Sequence, residues 1–328
     1  MRRRFVEILI LTTVVMVLPF RCPAPLIYTP GEGWYYELFG GNTKWQRPRA
    51  KDQLDVAEKA LAAKDYDTAM HAASRVLRVF PLSDYAPEAA YVQGRCFEAE
   101  GKDEAAFQAY QDIIDHYPKC TQFNEVLNRQ YAIANRFLDG EWFRLWNTIP
   151  LYPSMDETAN LFGKIVADGP FSPVAPKAQM SIGSAHEKAK DYAEAVKAYE
   201  TAADKYQNDP QIAADAMYRA GVAWQKQADT AEYDQSAASK AISAYMDFIS
   251  FFPDDPRVAT ARKAIEKLKA LQVQGSFDVA QFYEQYHEWA GAVVYYNDVL
   301  QQNANSPLAT LARQRIDALK PLLKSSKR

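Results

Sequence analysis

Residues 81–118 read PLSDYAPEAAYVQGRCFEAEGKDEAAFQAYQDIIDHYP, and the fold is decided by how this stretch is read. Ser83 and Asp84 can cap the free N–H groups of a helix start, and Pro87 is tolerated in a first turn, where its missing N–H costs nothing. Ala86 and Ala89, three apart, lay a small surface on one helical face. Gly101-Lys102-Asp103 then reads as a tight turn, and Ala106 and Tyr110 follow on a second helix. Tyr117-Pro118 ends that helix, because proline cannot continue the hydrogen-bond ladder.

The same phrases recur along the chain, and self-similarity outranks any local signal. The opening phrase returns at Phe171–Ala178, Asp209–Ala216 and Ser306–Ala312, with a degenerate copy at Asp255–Ala259. The turn phrase returns as Lys64-Asp65-Tyr66 with Ala69, Lys190-Asp191-Tyr192 with Ala195, and His287-Glu288-Trp289 with Ala292. A tyrosine or small residue stands four further on, at Ala73, Tyr110, Tyr199 and Tyr296. The order is helix, turn, helix, break, with a period near the roughly 34 residues of a tetratricopeptide repeat. Alternating β-branched runs flanked by Asn-Gly or Asp-Gly turns are not found, so strand signals are weak. The fold class expected is all-α, a solenoid of about six tetratricopeptide repeats and a capping helix.

A lone helix pair cannot cover its apolar face. Small alanines let paired helices approach, and the aromatic of one repeat is expected to fill the gap against the next. The units fall at about 51–82, 83–118, 119–170, 171–209, 210–254 and 255–306, with a last helix at about 307–324. The third unit carries an aromatic insertion, Gly140 to Pro153, expected as a loop. The fifth carries an insertion from Ala228 to Ser239. The sixth is expected to begin with a long helix, 257–273, before Gly275-Ser276.

The start of the chain has the parts of an export signal: Arg2, Arg3 and Arg4, then the uncharged Ile8–Leu18, then small or turn-forming residues. An apolar run of 11 residues falls short of the ~20 that cross a bilayer. The organisation expected is an export signal at 1–24, an extended aromatic-rich lead at 25–50 and the repeat solenoid at 51–328. Cys22 is a candidate lipidation site, with ordinary cleavage after Ala24 as the alternative. Export permits disulfides. In the repeat register Cys96 and Cys120 are offset by roughly 15 Å, at ~1.5 Å per residue, against the about 7 Å of Cα separation that a bridge tolerates. Two free, mostly buried thiols are expected.

Composition excludes several functions. With 48% hydrophobic and 24% charged residues the chain reads as a folded soluble body. Residues 1–24 carry +3 of a formal net charge of −3, so the remainder is −6, and an acidic body does not suit a nucleic-acid binder. His71, His116, His186 and His287 form no HExxH pattern, so no metal is expected. Neither a G-x-S-x-G elbow nor a phosphate-cradling G-x-x-x-x-G-K-[ST] loop occurs. No enzyme activity, cofactor or small-molecule substrate is expected, and the abundant carboxylates read as solvated helix faces.

The export signal, the Pro-x-Ser-x-x-Ala helix starts and the segment Phe277-Asp278-Val279-Ala280-Gln281-Phe282-Tyr283-Glu284 together resemble the BamD family. These are the tetratricopeptide lipoproteins of the outer-membrane barrel assembly machinery. Tyr131-Ala132-Ile133-Ala134-Asn135-Arg136-Phe137, followed by an aromatic insertion, is also similar, and the resemblance covers roughly 50–320. It implies a scaffold in the cell envelope, at the periplasmic face of the outer membrane and peripheral to it. The partners implied are the outer-membrane barrel insertase, through later repeats, and unfolded barrel proteins, through early ones. The alternative is a soluble periplasmic adaptor of the Tol–Pal or cell-division type.

First helices of stacked repeats line a groove, and residues there that packing does not need can bind a partner. The candidates are Lys51, Glu58 and Leu61 in the first unit and Tyr91, Arg95 and Glu98 in the second, with Tyr and Arg favoured as binding anchors. Solvated helix residues are the plain alternative for each. Trp142, Phe143 and Trp146 are candidates for a partner-docking loop, against the alternative that the loop folds back onto its own stack.

Overall fold

The computed structural model describes residues 26–29, 33–36, 45–145, 149–230 and 235–325. The export signal at 1–24 with Cys22, and the docking candidate Trp146, lie outside these residues. Among the described residues there are thirteen helices. They run in chain order as α1 Ala50–Ala62 and α2 Tyr66–Val79, α3 Ala86–Ala99 and α4 Asp103–His116, and α5 Phe123–Leu138 and α6 Met155–Asp168. There follow α7 Ala175–Ala189 and α8 Tyr192–Lys205, α9 Pro210–Thr230 and α10 Gln235–Phe251, α11 Val258–Gln285 and α12 Trp289–Gln302, and α13 Pro307–Ser325. Six helix pairs and a final helix make an all-α tetratricopeptide repeat solenoid, as the phrases predict.

The chain forms two compact units, Met1–Val126 and Leu127–Arg328. In the first, α1 to α3 close over Leu54, Ala57, Ala69, Ala73, Val76, Ala89 and Cys96. Trp45, from the lead, packs against this cluster, stacks on His71 with ring centroids 5.8 Å apart, and accepts a 3.1 Å hydrogen bond at its carbonyl from the buried Gln53 amide. The second unit holds successive cores. Ala195, Tyr199, Ala216 and Ala220 form one, Ala241, Tyr245, Phe248 and Leu268 another, and Phe277, Ala292, Tyr296 and Ala312 a third.

The intra-repeat turns share one backbone device. Lys64, Gly101, Lys190 and His287 all have φ between 60° and 69°, the left-handed conformation that ends a helix and redirects the chain. The next residue is then the N-cap of the second helix. Asp65 accepts from the Thr68 backbone N–H at 3.2 Å and Asp191 from that of Glu194 at 3.2 Å. Three of these four positions are not glycine, so those turns carry strain that the packed helices on either side must hold.

The tyrosines pack on two sides. Tyr110, Tyr199 and Tyr245 each meet a glycine of their own repeat's first helix, and Tyr199, Tyr245 and Tyr296 share a core with residues of the next repeat, as expected. A Cβ added at Gly221 would lie 2.8 Å from two carbons of Tyr245, and one added at Gly94 or Gly183 would lie closer still to Tyr110 or Tyr199. The phenol ends are also held. Tyr110 donates to Glu98 at 2.9 Å, Tyr245 to Gln225 at 2.9 Å and Tyr296 to Glu284 at 2.8 Å. Glu98 and Gln225 stand four residues after Gly94 and Gly221, on the same helical face. Burial pushes the phenols of Tyr199, Tyr245 and Tyr296 up, so they remain neutral.

Two expectations are corrected. Gly275-Ser276 does not end the sixth repeat's first helix, because α11 runs unbroken from Val258 to Gln285. Val273, Ser276 and Phe277 are buried there, and the Ser276 hydroxyl accepts from Gln302 at 2.9 Å, so tertiary packing overrides the weak helix preference of glycine. The aromatic insertion is not a plain loop. β3 Phe143–Leu145 and β4 Ile149–Tyr152 pair as an antiparallel hairpin. The lead likewise contains a hairpin, β1 Leu26–Thr29 with β2 Gly33–Tyr36. Strands this short escape an alternation test that needs several residues of one period. Cys96 and Cys120 are free thiols, the first buried and the second half-buried, as their spacing predicts.

Candidate functional site

The groove candidates of the first unit fall into two groups. Lys51 and Glu58 are exposed on α1. Partial desolvation of its carboxylate, followed by the nearby carboxylates of Glu88 and Asp55, raises the Glu58 pKa, so α1 and α3 bring like charges together on one surface. That arrangement suits a cationic partner better than an empty groove. Leu61, by contrast, is half-buried against the first repeat's core and is occupied by packing.

On α3 the three candidates are tied into the fold. Tyr91 donates to Glu125 at 3.2 Å, and its ring sits 5.9 Å from Tyr110. Glu98 receives the buried Tyr110 hydroxyl, and the Arg95 guanidinium lies 4.0 Å from Glu98. Glu98 thus has a structural task, and Arg95 stands over it.

The hairpin residues divide likewise. Phe143 stacks on Phe137 with centroids 4.2 Å apart and planes 12° from parallel, folding back onto its own helix. Trp142 is 50% exposed, which leaves it the described member of that group able to meet a partner.

Beside α3 a cleft of about 710 Å³ opens between the turns at 81–88 and 116–122. Leu82, 73% exposed, stands at its edge. The Tyr117 hydroxyl donates to the Pro81 carbonyl at 3.2 Å across it. Gln122 also lines it and keeps a buried Oε1 with no hydrogen-bond partner. Sequence reasoning missed this cleft, since it arises where two proline turns are juxtaposed by stacking. The recurrence of Pro81 and Pro118 was the signal available.

In the second unit two arrangements stand out. Arg257 donates to Asp215 at 2.7 Å and to both oxygens of Asp255 at 2.8 and 2.9 Å. Its guanidinium lies over the rings of Tyr218, at 4.9 Å, and Phe248, at 5.5 Å. The fork pulls the Asp255 carboxyl below its usual value. This ties α9 to α11 and leaves Arg219, which pairs with Asp215 at 3.0 Å, half-exposed. At the end of α11, Phe282 and Tyr286 are 57% and 64% exposed with centroids 4.6 Å apart. Val294 on α12 is 57% exposed. Four-residue spacing puts Phe282 and Tyr286 on one face, and exposed aromatics of this kind are what partner-binding surfaces use. Among the described residues no group of His, Cys, Asp and Glu could hold a metal ion.

Helix pairs closed by glycine–tyrosine contacts, with polar and aromatic residues left on the first helices, define a tetratricopeptide repeat protein. Residues 54–119 match the tetratricopeptide repeat model. Residues 154–320, just over half of the chain, match the YfiO outer membrane lipoprotein model, and the chain belongs to that family.

No curated protein matches. Solved structures that are similar include a tetratricopeptide repeat protein from Parabacteroides merdae, 11% identical, covering 83% of this chain and 98% of that one, TM-score 0.35. The C-terminal part of a repeat protein from Cytophaga hutchinsonii is 14% identical, covering 81% and 88%, TM-score 0.38. MamA from Desulfovibrio magneticus is 14% identical, covering 63% and 97%, TM-score 0.34.

Proposed function

We propose that this chain is a non-enzymatic scaffold at the periplasmic face of the outer membrane, assisting the assembly and insertion of β-barrel proteins. It would hold a membrane-embedded barrel insertase through its later repeats and unfolded barrel segments through its early ones. The observation that carries the reading is the coincidence of the YfiO match, residues 154–320, with the exposed Phe282, Tyr286 and Val294 of the sixth repeat. A helical scaffold leaves such apolar area open where another protein covers it. In the first unit, Trp142 being in the second, the surfaces offered to a flexible client are the acidic pair Glu58 and Glu88 and the cleft beside Leu82.

The test is in-cell crosslinking from a photoreactive residue at position 282 or 286, with gentle solubilisation of the outer membrane and mass spectrometry of what is caught. A membrane barrel protein is expected in the crosslinked band. Recovery of the chain alone, or with periplasmic division proteins only, would replace this reading with that of a free envelope adaptor.

A further inference from the structure

Charge is segregated along this chain. Residues 25–256 hold 34 acids against 23 bases, while residues 257–328 hold 11 bases against 6 acids. Within the basic part, 257–277 carries five bases and a single acid, Glu266, and all but Arg257 lie on α11. One face of this half-helix is spoken for. Ala261, Ile265 and Leu268 are buried against α10. The opposite face carries Lys263 and Lys267, four residues apart and therefore stacked, between the exposed Ala259 and Ala270. Arg262 and Lys269, seven apart, line one flank. Lys269 has Glu266 at 3.5 Å. Arg262, Lys263 and Lys267 are exposed with no acidic partner among the described residues. On the other flank Leu271 is 45% exposed.

We propose that this face of α11 is a docking surface for the anionic headgroups of a phospholipid membrane. Family membership as an outer membrane lipoprotein makes a lipid surface a neighbour of the chain. The crest is lysine, a point charge on a long flexible stem. That suits a diffuse array of phosphates, whereas arginine suits the fixed fork of a protein carboxylate. Alanine between the lysines lets the helix lie close, and Leu271 places an aliphatic group at headgroup depth. Residues 25–256, with their excess of acids, are repelled by the same surface, so attraction at the basic end of the chain would also fix how the body is turned.

The test is flotation of the full chain with vesicles of phosphatidylcholine alone and of phosphatidylcholine mixed with phosphatidylglycerol, at low and high salt. Wild type is expected to favour the phosphatidylglycerol vesicles and to lose that preference in salt. Lys263→Gln/Lys267→Gln should weaken the preference roughly 30-fold, at about fivefold per cation. Its circular dichroism should match that of wild type, since both lysines are exposed. Whatever the apolar segment 8–18 contributes is common to both vesicle types and to the variant. Equal affinity for the two vesicles, or a glutamine variant that binds as wild type does, overturns the proposal. Retention on immobilised poly-aspartate without retention by phosphatidylglycerol vesicles overturns it in favour of an acidic protein partner. Capture of a barrel protein from position 282 is read separately, so loss of lipid binding leaves the scaffold reading where it was.

Discussion

Alanine in place of Gly221 is expected to destabilise the protein, although helix propensity alone says the opposite. Removing glycine from a helix interior gains about 0.8–1 kcal/mol. At this position the new methyl would sit 2.8 Å from Cδ1 and Cε1 of Tyr245 and 3.2 Å from its Cγ. The ring cannot easily retreat. Tyr245 is 2% exposed, its hydroxyl is bonded to Gln225 at 2.9 Å, and Tyr218 stands 6.0 Å away. Forcing a carbon into a filled core costs about 1–3 kcal/mol, so the net loss should be about 1 kcal/mol. Gly163→Ala is the control: it lies in α6 with nothing within 4 Å of the added carbon, and it should gain the full propensity term.

Thermal melts followed by circular dichroism would place the two variants on opposite sides of wild type, each by a few degrees. Repeat arrays need not unfold in one step, so the sign of each shift is the quantity to read. In a Tyr245→Leu background the penalty of Gly221→Ala should vanish, since the clash is with the ring. If Gly221→Ala melts above wild type, as Gly163→Ala does, the glycine–tyrosine contact is not what closes the repeat.

Lys190→Gly should stabilise the protein by up to about 1 kcal/mol by relieving the left-handed backbone at φ 63°, with a raised melting temperature as the readout. Arg257→Ala should cost about 1 kcal/mol or somewhat more, from a part-exposed bidentate pair plus two ring contacts. The pairing lowers the folded-state pKa of Asp255. Its stabilisation is therefore present above the ordinary carboxylate value of 3.8 and is lost as pH falls through the lowered folded value. The gap between wild type and variant should close in that acid range in urea titrations. Glu58 has the opposite sign, because partial desolvation, Glu88 and Asp55 raise its pKa. Glu58→Gln should melt higher than wild type at neutral pH, with the difference gone once pH is below 4.5 and Glu58 is protonated in both states. Burial pushes the Cys96 thiol up to about 11, so Ellman's reagent should label Cys120 first and reach Cys96 only on unfolding.

The helix pairs were legible because their causes are local. Proline at the breaks, a capping aspartate and alanines at fixed intervals act within a few residues of themselves. Register followed from repetition, and so did the tight turns at Lys64, Lys190 and His287, though not their left-handed backbone. What stayed hidden depends on neighbours distant in the chain. Gly275 looks like a helix end until Val273 and Phe277 are seen buried on either side of it. Glu98 looks like a free groove acid until the Tyr110 hydroxyl is found on it. The residue that could have warned of this is Gly94: four before Glu98, it leaves room for a ring, and the same spacing recurs at Gly221 and Gln225.

Candidate binding residues were the least legible for a physical reason. In a repeat fold the face that binds and the face that packs are built from the same helices and differ by a rotation of one or two residues. Side-chain chemistry alone therefore assigns Tyr91, Arg95 and Glu98 to recognition as readily as to the core. The ambiguity ends where a residue has nothing to do inside the molecule. Tyr91 and Glu98 are spent on hydrogen bonds within their own unit. Phe282, Tyr286, Lys263 and Lys267 face outward with apolar area or charge left over, and they fall in the part of the chain that the family model covers. If a partner is held by this protein, substitutions at those four positions should change binding while leaving the melting temperature alone. Substitutions at Tyr91 or Glu98 should move the two together. A partner lost on Glu98→Ala with no change in melting would show that the internal bond to Tyr110 does not account for that side chain.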